Sequence, residues 1–341
     1  LQRSYPRRPR SAHRRHRRFI RPADHVLTII YPRGCYTSGM RIGIFAGDVT
    51  GHQPLQHHLD TIVAAERDGF DSVWLPAISG HDPMVVLALA GALTERIELG
   101  TAVMPTYPRH PYTLAQAAVS VQVATSGRFT LGVGPSHQRV IEGRFGMSYA
   151  RPIAHTREYL TVLTELLRGG PVDFDGDEVS VNGELLHPDL RSVQVVVSAL
   201  GPQMLRLAGA LADGTFTWMT GPVTLGEHTV PTLAAAATEA GRQQPRVLAG
   251  APVVVTDDAV SRRAYGGAVF GRYGGLPSYR AMLDREGWDT PTDAVIAGDE
   301  ATVIAEIARY EAAGVTDFCA VEFTDDPTER LRTRVVLGAV R

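Results

Sequence analysis

Four histidines, His52, His81, His110 and His137, follow short apolar runs in this chain, and imidazole is the side chain that exchanges protons near neutral pH. His110 and His137 follow their runs most directly and are the first candidates for a proton donor. A structural hydrogen bond is the alternative role for each. No pair has the His-x₃-His spacing of a zinc site on a helix, and no cysteine cluster accompanies them, so no metal is expected. A second chemistry is written in Val193 to Gly214. An apolar run, Val193 to Val197, stops at Ser198-Ala199-Leu200-Gly201-Pro202, and Met204, Leu205, Leu207, Ala208 and Leu211 then recur at helical offsets. The pattern predicts a buried parallel strand, a tight turn and a helix. Gly201 allows close backbone approach to a ligand, and Pro202 suits the first helical position. The N–H groups of Gln203, Met204 and Leu205 are then left for an anion such as phosphate. An ordinary βα turn has the same pattern, so the stretch alone leaves both readings open.

Further candidates stand where other apolar runs end. Gly132 and Gly134 leave no side chain, so either a flat ring lies against the backbone there or the chain itself is crowded. Thr101-Ala102-Val103 is either a buttress for such a ring or a plain buried strand end. Trp218-Met219-Thr220-Gly221 ends another run. There is no G-x-S-x-G elbow, no Walker loop and no pair of carboxylates at neighbouring strand ends. A histidine-bearing, glycine-rich rim with an anion turn suits a flat, phosphorylated cofactor better than acid–base chemistry alone.

These residues must be positioned by repeating units. From Met40 on, strands are expected at Arg41 to Ala46, Ser72 to Leu75, Ile97 to Val103, Arg128 to Gly134, Val193 to Val197, Thr215 to Met219, Arg246 to Val255 and Asp317 to Glu322. Helices follow them, among them Pro54 to Asp68 stopped by Gly69, one entered at Asp82-Pro83, Leu225 to Ala240, and Asp299 to Ala313 stopped by Gly314. Eight such repeats predict an α/β fold, a (β/α)₈ TIM barrel. An alternating stretch around Asp-Gly, Val172 to Val181, predicts a hairpin insertion between strands four and five. Chemistry in a barrel gathers at the C-terminal strand ends, where the candidates above stand.

Composition narrows the class. The 341 residues are 44% apolar and 21% charged, and no apolar run approaches a membrane span. Two cysteines, Cys35 and Cys319, suggest a reducing, cytoplasmic setting. The net charge of −2 hides an asymmetry: residues 1–39 hold ten Arg against one acid, +9, and the rest holds 24 Arg against 35 acids, −11. A basic arm for nucleic acid is one reading. The preferred one is a disordered Arg-rich extension, residues 1–39, ahead of a natural start at Met40, with no nucleic-acid or membrane partner expected. The barrel then occupies 40–341.

Five stretches together resemble the luciferase-like monooxygenase superfamily: Gly-Phe-Asp-Ser-Val-Trp-Leu-Pro (69–76), Gly-Thr-Ala-Val-Met-Pro-Thr-Tyr-Pro-Arg-His-Pro (100–111), Gly-Arg-Phe-Thr-Leu-Gly-Val-Gly-Pro-Ser-His (127–137), Ala-Leu-Gly-Pro-Gln-Met-Leu-Arg-Leu-Ala-Gly (199–209) and Ala-Asp-Gly-Thr-Phe-Thr-Trp-Met-Thr-Gly-Pro (212–222). They are most similar to its coenzyme F420-dependent branch in actinobacteria. The resemblance implies an oxidoreductase that passes a hydride between F420 and a small organic substrate, by reducing an enone or imine or by oxidising an alcohol. An FMN-dependent monooxygenase is the alternative. It implies that Thr101, Ala102 and Val103 form a bulge under the ring, often with a non-prolyl cis peptide. Gly132, Gly134 and His137 would lie beside the ring, Leu200, Gly201, Pro202 and Gln203 at the phosphate, and Thr220 and Gly221 in the same pocket. It implies a homodimer as well. One departure is Ala77, where relatives often carry a polar side chain after Trp-Leu-Pro. The hairpin and the segment Tyr273 to Tyr279, an aromatic lid or a packing loop, are expected to shape the substrate site.

Overall fold

Short strands that are buried on both faces read as near-continuous apolar runs, and here they close on one another. The computed structural model describes residues 39–47, 52–187 and 191–341. The extension expected over 1–39 lies outside them but for its last residue, as does Asp48 at the end of the first strand. The strands are β1 Arg41–Phe45, β2 Ser72–Leu75, β3 Glu98–Thr101, β4 Met104–Pro105, β5 Phe129–Gly134, β6 Val172–Asp175, β7 Ser180–Gly183, β8 Gln194–Val197, β9 Gly214–Trp218, β10 Arg246–Val255, β11 Ile296–Gly298 and β12 Asp317–Glu322. The parallel order β1-β2-β3-β5-β8-β9-β10-β12 returns to β1, which is an eight-stranded closed barrel with helices around it. β6 and β7 pair antiparallel, with Asp175 opposite Ser180, in the segment between β5 and β8. Glu158 fastens that hairpin by accepting from the N–H of Glu178 at 2.7 Å and of Val179 at 3.0 Å.

Local chemistry explains the helix boundaries. Asp82 caps Pro83–Gly91 by accepting from Met84 N at 2.9 Å, and Gly69 and Gly314 end their helices at φ +90° and +88°. The N-terminal strand ends are closed by charge. Arg246 donates to Glu98 at 2.8 Å, Asp317 at 2.7 Å and Gln194 at 2.8 Å, so the first residues of four strands share one guanidinium. Removing one partner from such a buried network typically costs about 3–5 kcal/mol, because the other charge is left unpaired.

Three features depart from the sequence reading. β11 is a short extra strand on the far half of β10. β10 gives up β9 after Gly250 and takes β11 from Val253; Pro252, which has no N–H to donate, stands at the hand-over. The third strand ends at Thr101, short of Val103, and the bulge that the resemblance implied at Thr101, Ala102 and Val103 follows it. The helix expected over Leu225 to Ala240 starts at Pro222 and contains a π turn, Leu225–Thr229. The segment Tyr273 to Tyr279 is a packed one: a 3₁₀ turn, Gly271–Gly275, leads into helix Pro277–Glu286, and Tyr279 is buried.

Candidate active site

The break in strand three shapes the barrel mouth. Leu99 and Gly100 pair with Phe129 and Thr130, and pairing resumes at Met104 with Val133. Four steps on one strand thus face three on the other, which is a bulge. Thr101 replaces the interrupted ladder: its hydroxyl donates to Gly132 O and accepts from Gly132 N, both at 2.8 Å. The Ala102–Val103 peptide next to it is cis. A Cβ at Gly132 would overlap the Thr101 carbonyl oxygen, and one at Gly134 would lie 2.8 Å from Ser198 Oγ and 3.0 Å from Val103 Cγ2. At both glycines the chain leaves no room for a side chain.

The turn after β8 is different. Gly201 is the N-cap of helix Pro202–Leu211, with no side-chain cap, and a Cβ there would have nothing within 4 Å. Leu205 N donates to Gly201 O at 3.0 Å, so it is not free as expected. The N–H groups of Gly201, Gln203 and Met204 find no acceptor among the described residues. Four other helix starts carry their own acids, Asp82, Asp258, Asp299 and Asp326, while those at Pro54, His110, His137 and Arg151 have no side-chain cap either. The helix start after β9 is occupied too: Glu286 accepts from Val223 N at 3.1 Å and Thr224 N at 2.7 Å, and its carboxylate fills the space beside Gly221. Thr220 is buried, its hydroxyl 3.4 Å from Trp218 O. Free donors together with the open space at Gly201 let this turn take a phosphate.

Of the histidines, His137 stands at the mouth, directly after β5. Its ring lies 5.9 Å from Tyr279 and 6.4 Å from Tyr273, and burial, then the Arg272 charge, lowers its pKa. It is therefore neutral at neutral pH, better suited to accept a proton than to deliver one as a cation. His110 is the N-cap of Pro111–Ala124, and its side chain is exposed. His52 and His81 are also exposed; the His81 ring is 5.8 Å from that of His58. Phe45, Phe216, Trp218 and Phe270 form edge-on contacts of 5.3 to 5.7 Å along the mouth.

Two buried histidines went unmarked in the sequence. His155 stacks on Tyr107 at 3.9 Å and meets Thr106 Oγ1 at 3.0 Å; burial pushes its pKa down to about 4. His228 reaches the Leu200 carbonyl with Nε2 at 3.0 Å. Both lie within helices. The only available signal was for His155, which shares the buried stripe of Tyr159, four residues on.

Comparison with known proteins fits this geometry. A protein of Mycobacterium tuberculosis with the provisional name coenzyme F420-dependent oxidoreductase is 30% identical over 327 residues, covering 82% of this chain and 94% of its own. A 5,10-methylenetetrahydromethanopterin reductase of Methanolobus tindarius is 31% identical over 238 residues, covering 69% and 72%. Among solved structures, an F420-dependent secondary alcohol dehydrogenase in complex with an F420-acetone adduct superposes with a TM-score of 0.74 at 23% identity, covering 89% of this chain and 99% of that one, and so shares its fold. The family model for luciferase-like monooxygenases matches residues 40–317, and the chain belongs to that family.

Proposed function

We propose that the protein is an F420-dependent oxidoreductase acting on a small organic substrate. The observation that carries the reading is the uncapped helix start at Gly201, with its three free N–H groups and open space in front. The names of the relatives in M. tuberculosis and M. tindarius support it. When bound, F420 supplies a hydride donor or acceptor. The chain's part is to hold the phosphate at Leu200, Gly201, Pro202 and Gln203, and to seat the ring over Thr101, Ala102 and Val103 beside Gly132, Gly134, Thr220 and Gly221. His137, neutral and facing Tyr273 and Tyr279, takes the substrate proton when an alcohol is oxidised and returns it in reduction. His110, exposed on its helix start, has no part in that transfer. The functional unit is a homodimer: Val85, Leu89 and Leu93, at 57%, 44% and 54% exposure, form one apolar stripe along and just past helix Pro83–Gly91.

Titration with F420 and with FMN, followed by absorbance and fluorescence, tests the cofactor. F420 should bind and FMN should not; tight FMN binding without F420 binding would overturn the reading. Gly201→Asp tests the anchor. Gly201 has φ −76° and ψ 156°, which any residue adopts, and aspartate is a good N-cap. The variant should therefore melt no lower than the wild type while F420 affinity falls by at least about 100-fold, as a carboxylate replaces the phosphate.

A further inference from the structure

The helical stretch after β9 begins as Pro222–Thr224, widens over Leu225–Thr229 and resumes as Val230–Glu239. Pro231 accounts for the widening. It has no N–H for the carbonyl four residues back, and its ring crowds that carbonyl. The N–H of Val230 accordingly reaches five residues back, to Leu225 O. One extra residue in a turn rotates what it carries by roughly 100° relative to an unbroken α-helix. His228 sits within this turn, 9% exposed, with Nε2 3.0 Å from the Leu200 carbonyl oxygen. A carbonyl only accepts, so Nε2 bears the proton and donates.

Leu200 immediately precedes the N-cap Gly201. The peptide between them is trans, and a planar trans peptide points its N–H opposite to its C=O. A carbonyl held toward His228 therefore directs the Gly201 N–H away from it. We infer that His228 is a positioning residue for the anion turn: by holding the Leu200 carbonyl it sets the direction in which the Gly201, Gln203 and Met204 N–H groups meet the cofactor phosphate. This rests on the reading of that turn as the phosphate anchor. The device runs from Pro231 to the π turn, from the π turn to the His228 ring, and from the ring to the turn of the neighbouring repeat.

The test compares wild type, His228→Leu, His228→Gln, Pro231→Ala and Gly201→Asp, by amide hydrogen exchange of the free protein and by equilibrium F420 binding. In His228→Leu, which keeps side-chain bulk but has no donor, the Leu205 amide, which donates to Gly201 O in the same turn, should exchange about tenfold faster and the F420 Kd should rise about tenfold, as expected for one lost hydrogen bond. The kcat at saturating F420 should be unchanged. His228→Gln, which restores an N–H donor, should recover most of the affinity. Pro231→Ala, which removes the cause of the π turn and leaves His228 in place, should speed exchange of the Leu205 amide in the same way and decide the matter if His228→Leu does not fold. If exchange and affinity stay at wild-type values in the His228→Leu and Pro231→Ala variants while Gly201→Asp loses F420, the positioning role is wrong and the anchor stands. If Gly201→Asp binds F420 as the wild type does, the anchor lies elsewhere and both fall.

Discussion

His137 is tuned by what surrounds it. Burial and the Arg272 charge both disfavour its cationic form, so its pKa lies below the usual histidine value. A base must be neutral to act, so activity in the alcohol-oxidising direction should be lost as pH falls through that lowered pKa. Removing the charge in Arg272→Gln should raise the pKa and move the acid limb of kcat/KM to higher pH, by up to about one unit. A limb that stays put, or moves to lower pH, would exclude His137 as the titrating group. His137→Gln should lower kcat by roughly 100-fold, while His110→Gln leaves it at the wild-type value.

The bulge in strand three shows what one hydroxyl does for an element. Thr101→Val keeps the shape but leaves the N–H and C=O of Gly132 without their partner, both inside the barrel wall. The loss should be about 2–4 kcal/mol in urea unfolding, and Thr101→Ser should recover most of it. A valine variant as stable as wild type would show that the ladder closes without the clamp. The sequence carried the repeating strand–helix order, the cap at Asp82 and the stops at Gly69 and Gly314, because apolar period and capping chemistry are local. Apolar period did not carry the break after Thr101, since a bulge is defined by register against β5, about thirty residues away; the resemblance did, and the bulge and the cis Ala102–Val103 peptide stand where it implied them. Pro231 was in plain view inside a helical pattern and marked the π turn. β11, three residues long, is too short for any period to declare. The site was legible as strand ends and one turn. Which groups were spent on the chain itself, Thr101 on Gly132 and Glu286 on the helix start beside Gly221, required the third dimension.

For the whole molecule, closure and chemistry occupy opposite ends. Arg246, Glu98 and Asp317 tie the N-terminal strand ends, and the candidate residues stand at the other. Between them, on the flank, the Val85, Leu89 and Leu93 stripe is exposed and has no cover among the described residues. Leu89→Arg should convert a dimer into a monomer in light scattering without lowering the melting temperature of the barrel. A wild-type chain that already runs as a monomer at micromolar concentration would refute the dimer.

Two glycines at the mouth carry different evolutionary constraints. Gly132 and the Thr101 carbonyl share one volume, so any side chain at 132 must be preceded by a shift of strand three. The two positions are epistatic and can drift only together. Gly201 faces nothing, so folding imposes no veto on substitution there, and its constraint comes only through the ligand. Selection for solubility would therefore hold Gly132 fixed and let Gly201 diverge, and selection for cofactor use would hold both.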